Sequence, residues 1–206
     1  MKKIGVLVSG GGSNLQAIID AVKERQIDAE IGVVISNKAG VYALQRATAN
    51  HIPTRVVDHR QYPSVIEFTG AILEVMREFQ IELICLAGFL RILDRLLVDA
   101  YPNRILNIHP ALLPAFGGKG MYGHHVHEAV IASGAKFSGA TVHIVTADAD
   151  VGPIIIQGTV PVDDNDTPDS LAEKVLQIEH QIYPQAIKLV LEDRIMIDGL
   201  RTRVKV

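Results

Sequence analysis

The sequence predicts an α/β protein, a mostly parallel open sheet with helices on both faces, on three observations. Short β-branched runs alternate with helical periodicity through the first half of the chain. Those runs are apolar at consecutive positions rather than at every second one, as strands covered on both sides require. The first run passes through a glycine-rich turn directly into a helical pattern, the opening of a βα unit. Residues 4–8 read as a strand, and Leu15, Ile18, Ile19 and Val22 follow the i, i+3, i+4, i+7 spacing of a helix with one apolar face. The alternation continues with strands at 31–35, 54–57, 83–87 and 104–108 and helices at 41–50 and 64–79. Residues 110–123 carry Pro114, Gly117, Gly118 and Gly120 without any period and read as a long loop. A helix at 127–133 and two strands, 140–146 and 154–160, joined by a tight Asp-rich turn, come next. The last helix starts at Thr167-Pro168, an N-cap residue followed by proline at the first helical position, and shows Leu171, Val175, Ile178 and Ile182 at helical spacing. A short turn at Asp198-Gly199 marks the tail.

Composition narrows the class. A length of 206 residues fits one domain, 1–206, and an apolar fraction of 48% against 21% charged is that of a chain with a real core. The 20 Lys and Arg against 23 Asp and Glu, without a basic tract, exclude a dedicated nucleic-acid or anionic-membrane binder. Cys85 is the single cysteine, so an internal disulfide and a multi-cysteine metal site are excluded. The run after Met1-Lys2-Lys3 stops at Ser9, short of a secretory signal, and no stretch reaches the roughly 18 apolar residues of a membrane span. The expectation is a cytoplasmic protein.

The candidate chemistry lies at predicted strand ends. Ser9-Gly10-Gly11-Gly12-Ser13-Asn14 joins the first strand to the first helix. Glycines let backbone N–H groups approach an anion there, and the helix N-terminus adds orphan donors, so phosphate is the fitting ligand. The alternative is a tight βα turn with Ser13 as N-cap. Neither a dinucleotide fingerprint nor a P-loop is present, since Leu15 falls where the former needs its third glycine. Asn107 and His109, two apart on a strand, point to one side and can polarise a carbonyl and shuttle a proton, as acyl or formyl transfer demands. A carboxylate such as Asp150 beside an imidazole would raise its pKa and fix its tautomer. Against this stand a strand-terminal histidine satisfied by backbone and an ordinary acidic turn. His124, His125 and His127 lack ligand spacing, and no metal site is expected.

The segments S-G-G-G-S-N-L (9–15), A-G-F-L-R-I-L (87–93), N-I-H-P-A-L-L-P (107–114), D-V-G-P (150–153) and E-H-Q-I-Y-P (179–184), in this order over nearly the full chain, closely resemble the phosphoribosylglycinamide formyltransferases of purine biosynthesis. The resemblance implies the formyltransferase fold with a Rossmann-like N-terminal half. It also implies transfer of a formyl group from 10-formyltetrahydrofolate, as co-substrate and without metal, to the amine of glycinamide ribonucleotide. Its partners would then be these small-molecule substrates, with no nucleic acid or membrane. It further implies Asn107, His109 and Asp150 as the catalytic trio and Gly12, Ser13, Asn14 and Glu179 on the ribonucleotide side. Arg60, Leu90, Arg91, Ile92 and Leu93 would lie on the folate side. Two departures are visible: Ala111 stands where the family commonly has serine, and the loop 116–125 is longer than in the shortest members. A formyltetrahydrofolate hydrolase shares the trio but normally carries an extra N-terminal domain, and a methionyl-tRNA formyltransferase carries a basic C-terminal one. A non-catalytic phosphate-binding module would explain the glycine turn but not Asn107 and His109.

Overall fold

Consecutive apolar positions become buried strands. In β1 (Lys2–Val8) the side chains of Ile4, Val6, Leu7 and Val8 are all fully buried, as a central parallel strand demands. The computed structural model describes residues 1–205, which form two compact units, Met1–Leu106 and the residues from Asn107 on. In the first unit β1 pairs in parallel with β2 (Ala29–Ser36) and with β4 (Leu83–Leu86), and β2 pairs in parallel with β3 (Thr54–Val56). Four helices accompany them: α1 (Ser13–Lys23), α2 (Tyr42–Ala49), α3 (Val65–Glu78) and α4 (Arg95–Ala100). Leu15, Ile18 and Ile19 of α1 are buried as their spacing predicts, and Ser64 caps α3 by accepting the Glu67 N–H. The sequence reading missed α4, which is too short to show a period and is marked only by its cap, Asp94.

The alternative reading of the turn, with Ser13 as N-cap, is corrected in its cap: Gly12 caps α1 in the left-handed conformation, and Ser13 is the first helical residue. Tertiary packing decides this. A Cβ at Gly12 would lie 2.6 Å from the Cβ of Ala43 in α2, so only glycine fits both the angle and the space.

β5 (Ile105–His109) runs from the first unit into the second, and the strand order is β3-β2-β1-β4-β5-β6-β7. In the second unit β6 (Phe137–Ile144) and β7 (Ile154–Pro161) are antiparallel, so the seven-stranded sheet is mostly parallel, as predicted. The helices of this unit are α5 (His124–Ser133) and α6 (Pro168–Leu191). Thr167 caps α6 through a reciprocal bond with Ser170, with Pro168 at the first position, so the predicted start of that helix is correct. Two readings are corrected. The β6–β7 connection is an extended loop over 145–153 rather than a tight turn, closed where Ile144 N–H donates to Pro153 O at 2.9 Å. The tail is a hairpin, β8 (Ile195–Asp198) with β9 (Arg201–Val204), of which only the Gly199 turn was legible. Among the described residues no helix is long and apolar enough to cross a membrane.

Candidate active site

Asn107 and His109 stand two apart near the end of β5, which places both side chains on one side of the strand. His109 is only 4% exposed. Its Nε2 lies 2.8 Å from the carbonyl oxygen of Phe116 and its Nδ1 3.7 Å from Oδ2 of Asp150. Asp150 reaches this position from the 145–153 loop through a left-handed backbone, φ 58°, that few non-glycine residues adopt. The same Oδ2 accepts the Gly118 N–H at 2.9 Å, which ties the 110–123 loop to the carboxylate. Gly117 sits beside it with no room for a side chain, since a Cβ there would stand 2.5 Å from Cδ2 of Leu113 and 3.3 Å from the Cβ of Asp150.

A second imidazole completes the cluster. His143 of β6, 2% exposed, lies with Nδ1 3.0 Å from the carbonyl of Ile144, so that nitrogen carries the proton. Its Nε2 then accepts the Asn107 side-chain N–H at 3.2 Å and lies 3.5 Å from Oδ1 of Asp150. The Asp150 carboxylate therefore sits between two histidines, and His143 orients the Asn107 amide, leaving its second N–H to donate elsewhere. Sequence reasoning missed His143. The available signal was a histidine inside a buried strand, where an imidazole costs free energy unless it is bonded.

The electrostatics correct one expectation. Burial is the largest influence on His109 and pulls its pKa below the ordinary 6.5, outweighing the Asp150 charge and the Phe116 carbonyl, with His143 pulling the same way. Asp150 thus favours the imidazolium, as predicted, without holding His109 charged at rest. For Asp150 burial alone would raise the pKa, but the adjacent His143 ring, the bond from the Gly118 N–H and the proximity of His109 prevail and keep it below the usual carboxylate value.

The other predicted positions divide between the units. In the first, a Cβ at Gly10 or Gly11 would meet nothing within 4 Å, so the backbone of the turn is open to an approaching group. Ser13 is half-buried and Asn14 buried at the start of α1, whose first turn carries no acidic residue to oppose an anion. Leu90, Arg91 and Ile92 are exposed after β4, Ile92 by 80%, and Leu93 is half-buried. Arg60 is held by Asp58 through Nε and Nη2 at 3.0 and 2.6 Å, and its guanidinium keeps the Asp58 carboxyl far below its ordinary range. In the second unit Glu179 is buried on α6. Among the described residues no three His, Cys, Asp or Glu are grouped to hold a metal ion; His124 lies between Glu128 and Asp169 instead, each at 3.0 Å.

The chain has relatives among known proteins. The chain is 46% identical over 195 residues, 95% of its length, to a trifunctional purine biosynthetic protein adenosine-3 of Gallus gallus, of which it spans only 19%. It is 42% identical over 195 residues to a chloroplastic phosphoribosylglycinamide formyltransferase of Arabidopsis thaliana, covering 94% of this chain and 67% of that one. The crystal structure of glycinamide ribonucleotide transformylase 1 from Symbiobacterium toebii matches all of this chain and 95% of its own at 44% identity, with a TM-score of 0.96. The formyl transferase pattern matches residues 2–187, and the chain belongs to that family.

Proposed function

We propose that the chain transfers the formyl group from N10 of 10-formyltetrahydrofolate to the amine of glycinamide ribonucleotide, in de novo purine biosynthesis, and that residues 1–206 act as one formyltransferase domain in the cytoplasm. The bond from the ribonucleotide amine to the formyl carbon forms, the bond to N10 breaks, and the proton lost by the amine ends on N10. The observation that carries this reading is the cluster of the buried His109 and His143 with the half-buried Asn107 and Asp150, in a chain of the formyl transferase family.

In this reading the free N–H of Asn107 donates to the oxyanion that develops as the amine attacks. His109 donates through Nε2 once the substrate takes the place of the Phe116 carbonyl, and relays the proton toward N10. A negative oxygen beside the ring offsets the burial that keeps it neutral at rest, so the imidazolium forms when it is needed. Asp150 steadies that cation. Gly12, Ser13 and Asn14 hold the ribonucleotide phosphate through backbone N–H groups at the start of α1, with Glu179 on the same substrate. Arg60 and Leu90, Arg91, Ile92 and Leu93 serve the folate. The test is tetrahydrofolate formation with and without glycinamide ribonucleotide. Turnover that requires the ribonucleotide supports the reading; equal turnover without it makes the chain a hydrolase, and none in either case makes it a binding module.

A further inference from the structure

Residues 91–93 have no regular structure, yet they sit between two fixed points. At one end the Leu90 N–H donates to the hydroxyl of Ser9 at 2.9 Å. At the other, the Asp94 N–H donates to the hydroxyl of Thr69 at 2.9 Å. Both hydroxyls are buried, Ser9 at 5% exposure and Thr69 at 0%. Ser9 is fixed in turn: its hydroxyl donates to Oδ1 of the fully buried Asn37 at 2.6 Å, and its own N–H donates to Gly88 O at 3.1 Å. Phe89, between Gly88 and Leu90, stacks on Phe68 of α3, the helix that carries Thr69.

Neither hydroxyl is placed to touch a ligand on the exposed side of the segment. Each instead accepts one backbone N–H out of reach of solvent, where losing that bond would leave the donor unpaired. Ser9 is also the first residue of the glycine turn assigned to the ribonucleotide, so the same residue adjoins one substrate's turn through its backbone and serves the other's segment through its side chain.

We propose that Ser9 and Thr69 are positioning residues whose hydroxyls clamp the two ends of residues 91–93, holding Arg91, Ile92 and Leu93 in the conformation that receives 10-formyltetrahydrofolate. The proposal rests on the folate assignment of that segment. It has an asymmetric consequence: a substitution at Ser9, although it lies in the glycine turn, impairs folate use rather than ribonucleotide use.

The experiment compares Ser9→Ala and the near-isosteric Thr69→Val with the wild-type enzyme, each checked for folding by its thermal transition. Loss of one such bond corresponds to about fivefold in an equilibrium constant. Each variant is expected to raise the KM for 10-formyltetrahydrofolate about fivefold while the KM for the ribonucleotide stays within about twofold. Amide hydrogen exchange gives an independent readout: Leu90 exchanges faster in Ser9→Ala and Asp94 faster in Thr69→Val, each without the other. In parallel, the wild-type amide signals of residues 91–93 are followed by NMR as 10-formyltetrahydrofolate is added. If those signals do not move, the folate assignment fails and this role with it. If they move, but the folded variants keep wild-type exchange and folate KM, or raise both KM values equally, the assignment stands and the clamp is overturned.

Discussion

The glycine turn of the first unit and the histidine cluster of the second are made of different material. The turn offers backbone: Gly10 and Gly11 leave open space where side chains would stand, and Gly12 closes against Ala43 with no room for a Cβ. The cluster offers side chains that are 2% and 4% exposed at His143 and His109, joined by a carboxylate on a left-handed loop residue. The contrast teaches what each can do. Backbone N–H groups at a helix start hold a charge that is the same before and after reaction, which is a binding contribution. Titratable groups buried at contact distance respond to charge that appears only during reaction, which is a catalytic one.

Four substitutions sharpen that division, in order of expected effect. Asn107→Ala removes a donor to the developing oxyanion and should lower kcat about a hundredfold or more, with both KM values close to wild type. Combined with His109→Ala it should cost less than the product of the two singles, because both act on one transition state; rapid-quench measurement of the formyl transfer step reads this directly. Gly12→Ala forces an L-residue to a φ of 73° and against Ala43, so a loss of roughly 1–3 kcal/mol of stability is expected. Its KM for the ribonucleotide should rise about tenfold as the turn shifts, which steady-state kinetics in the folded temperature range checks.

The smallest effect is the most diagnostic of the electrostatics. The His109 ring, followed by NMR, should titrate below 6.5 in the wild type, because burial dominates, and lower still in Asp150→Asn, which loses the charge that raises it. The sign for stability follows. Above pH 6.5 the ring is neutral in folded and unfolded chains alike and contributes nothing. As pH falls below 6.5 the unfolded chain takes up the proton first, so the folded state loses stability until its own ring is protonated. Asp150→Asn extends that loss to lower pH, which thermal melts across the acidic range measure. A variant ring that titrates with the wild type would remove Asp150 from the account of His109.

The same contrast explains what the sequence could reveal. Period and punctuation are local properties, so β1, α1, α3 and the start of α6 at Thr167-Pro168 were legible from spacing and caps alone. Asn107 and His109 were legible as a pair because strand alternation puts them on one side. His143 was not, because its partners Asn107 and Asp150 lie far from it in sequence or in an irregular loop. The neutral resting state of His109 was hidden for a similar reason. Asp150 is visible in the sequence as a charge, whereas the burial that outweighs it is a property of the packed structure. That Gly12 rather than Ser13 caps α1 was hidden as well, because the space beside Gly12 is taken by Ala43, from another helix.

The central claim is that the second unit's cluster performs the chemistry and the first unit's turn only binds. Its most direct test is steady-state kinetics on folded His109→Ala and Gly12→Ala side by side, with glycinamide ribonucleotide varied at saturating 10-formyltetrahydrofolate. The account predicts a kcat lower by about a hundredfold or more with little change in KM for His109→Ala, and a raised KM with kcat near wild type for Gly12→Ala. A His109→Ala enzyme that keeps its kcat, or a Gly12→Ala enzyme that loses kcat while its KM is unchanged, would contradict it.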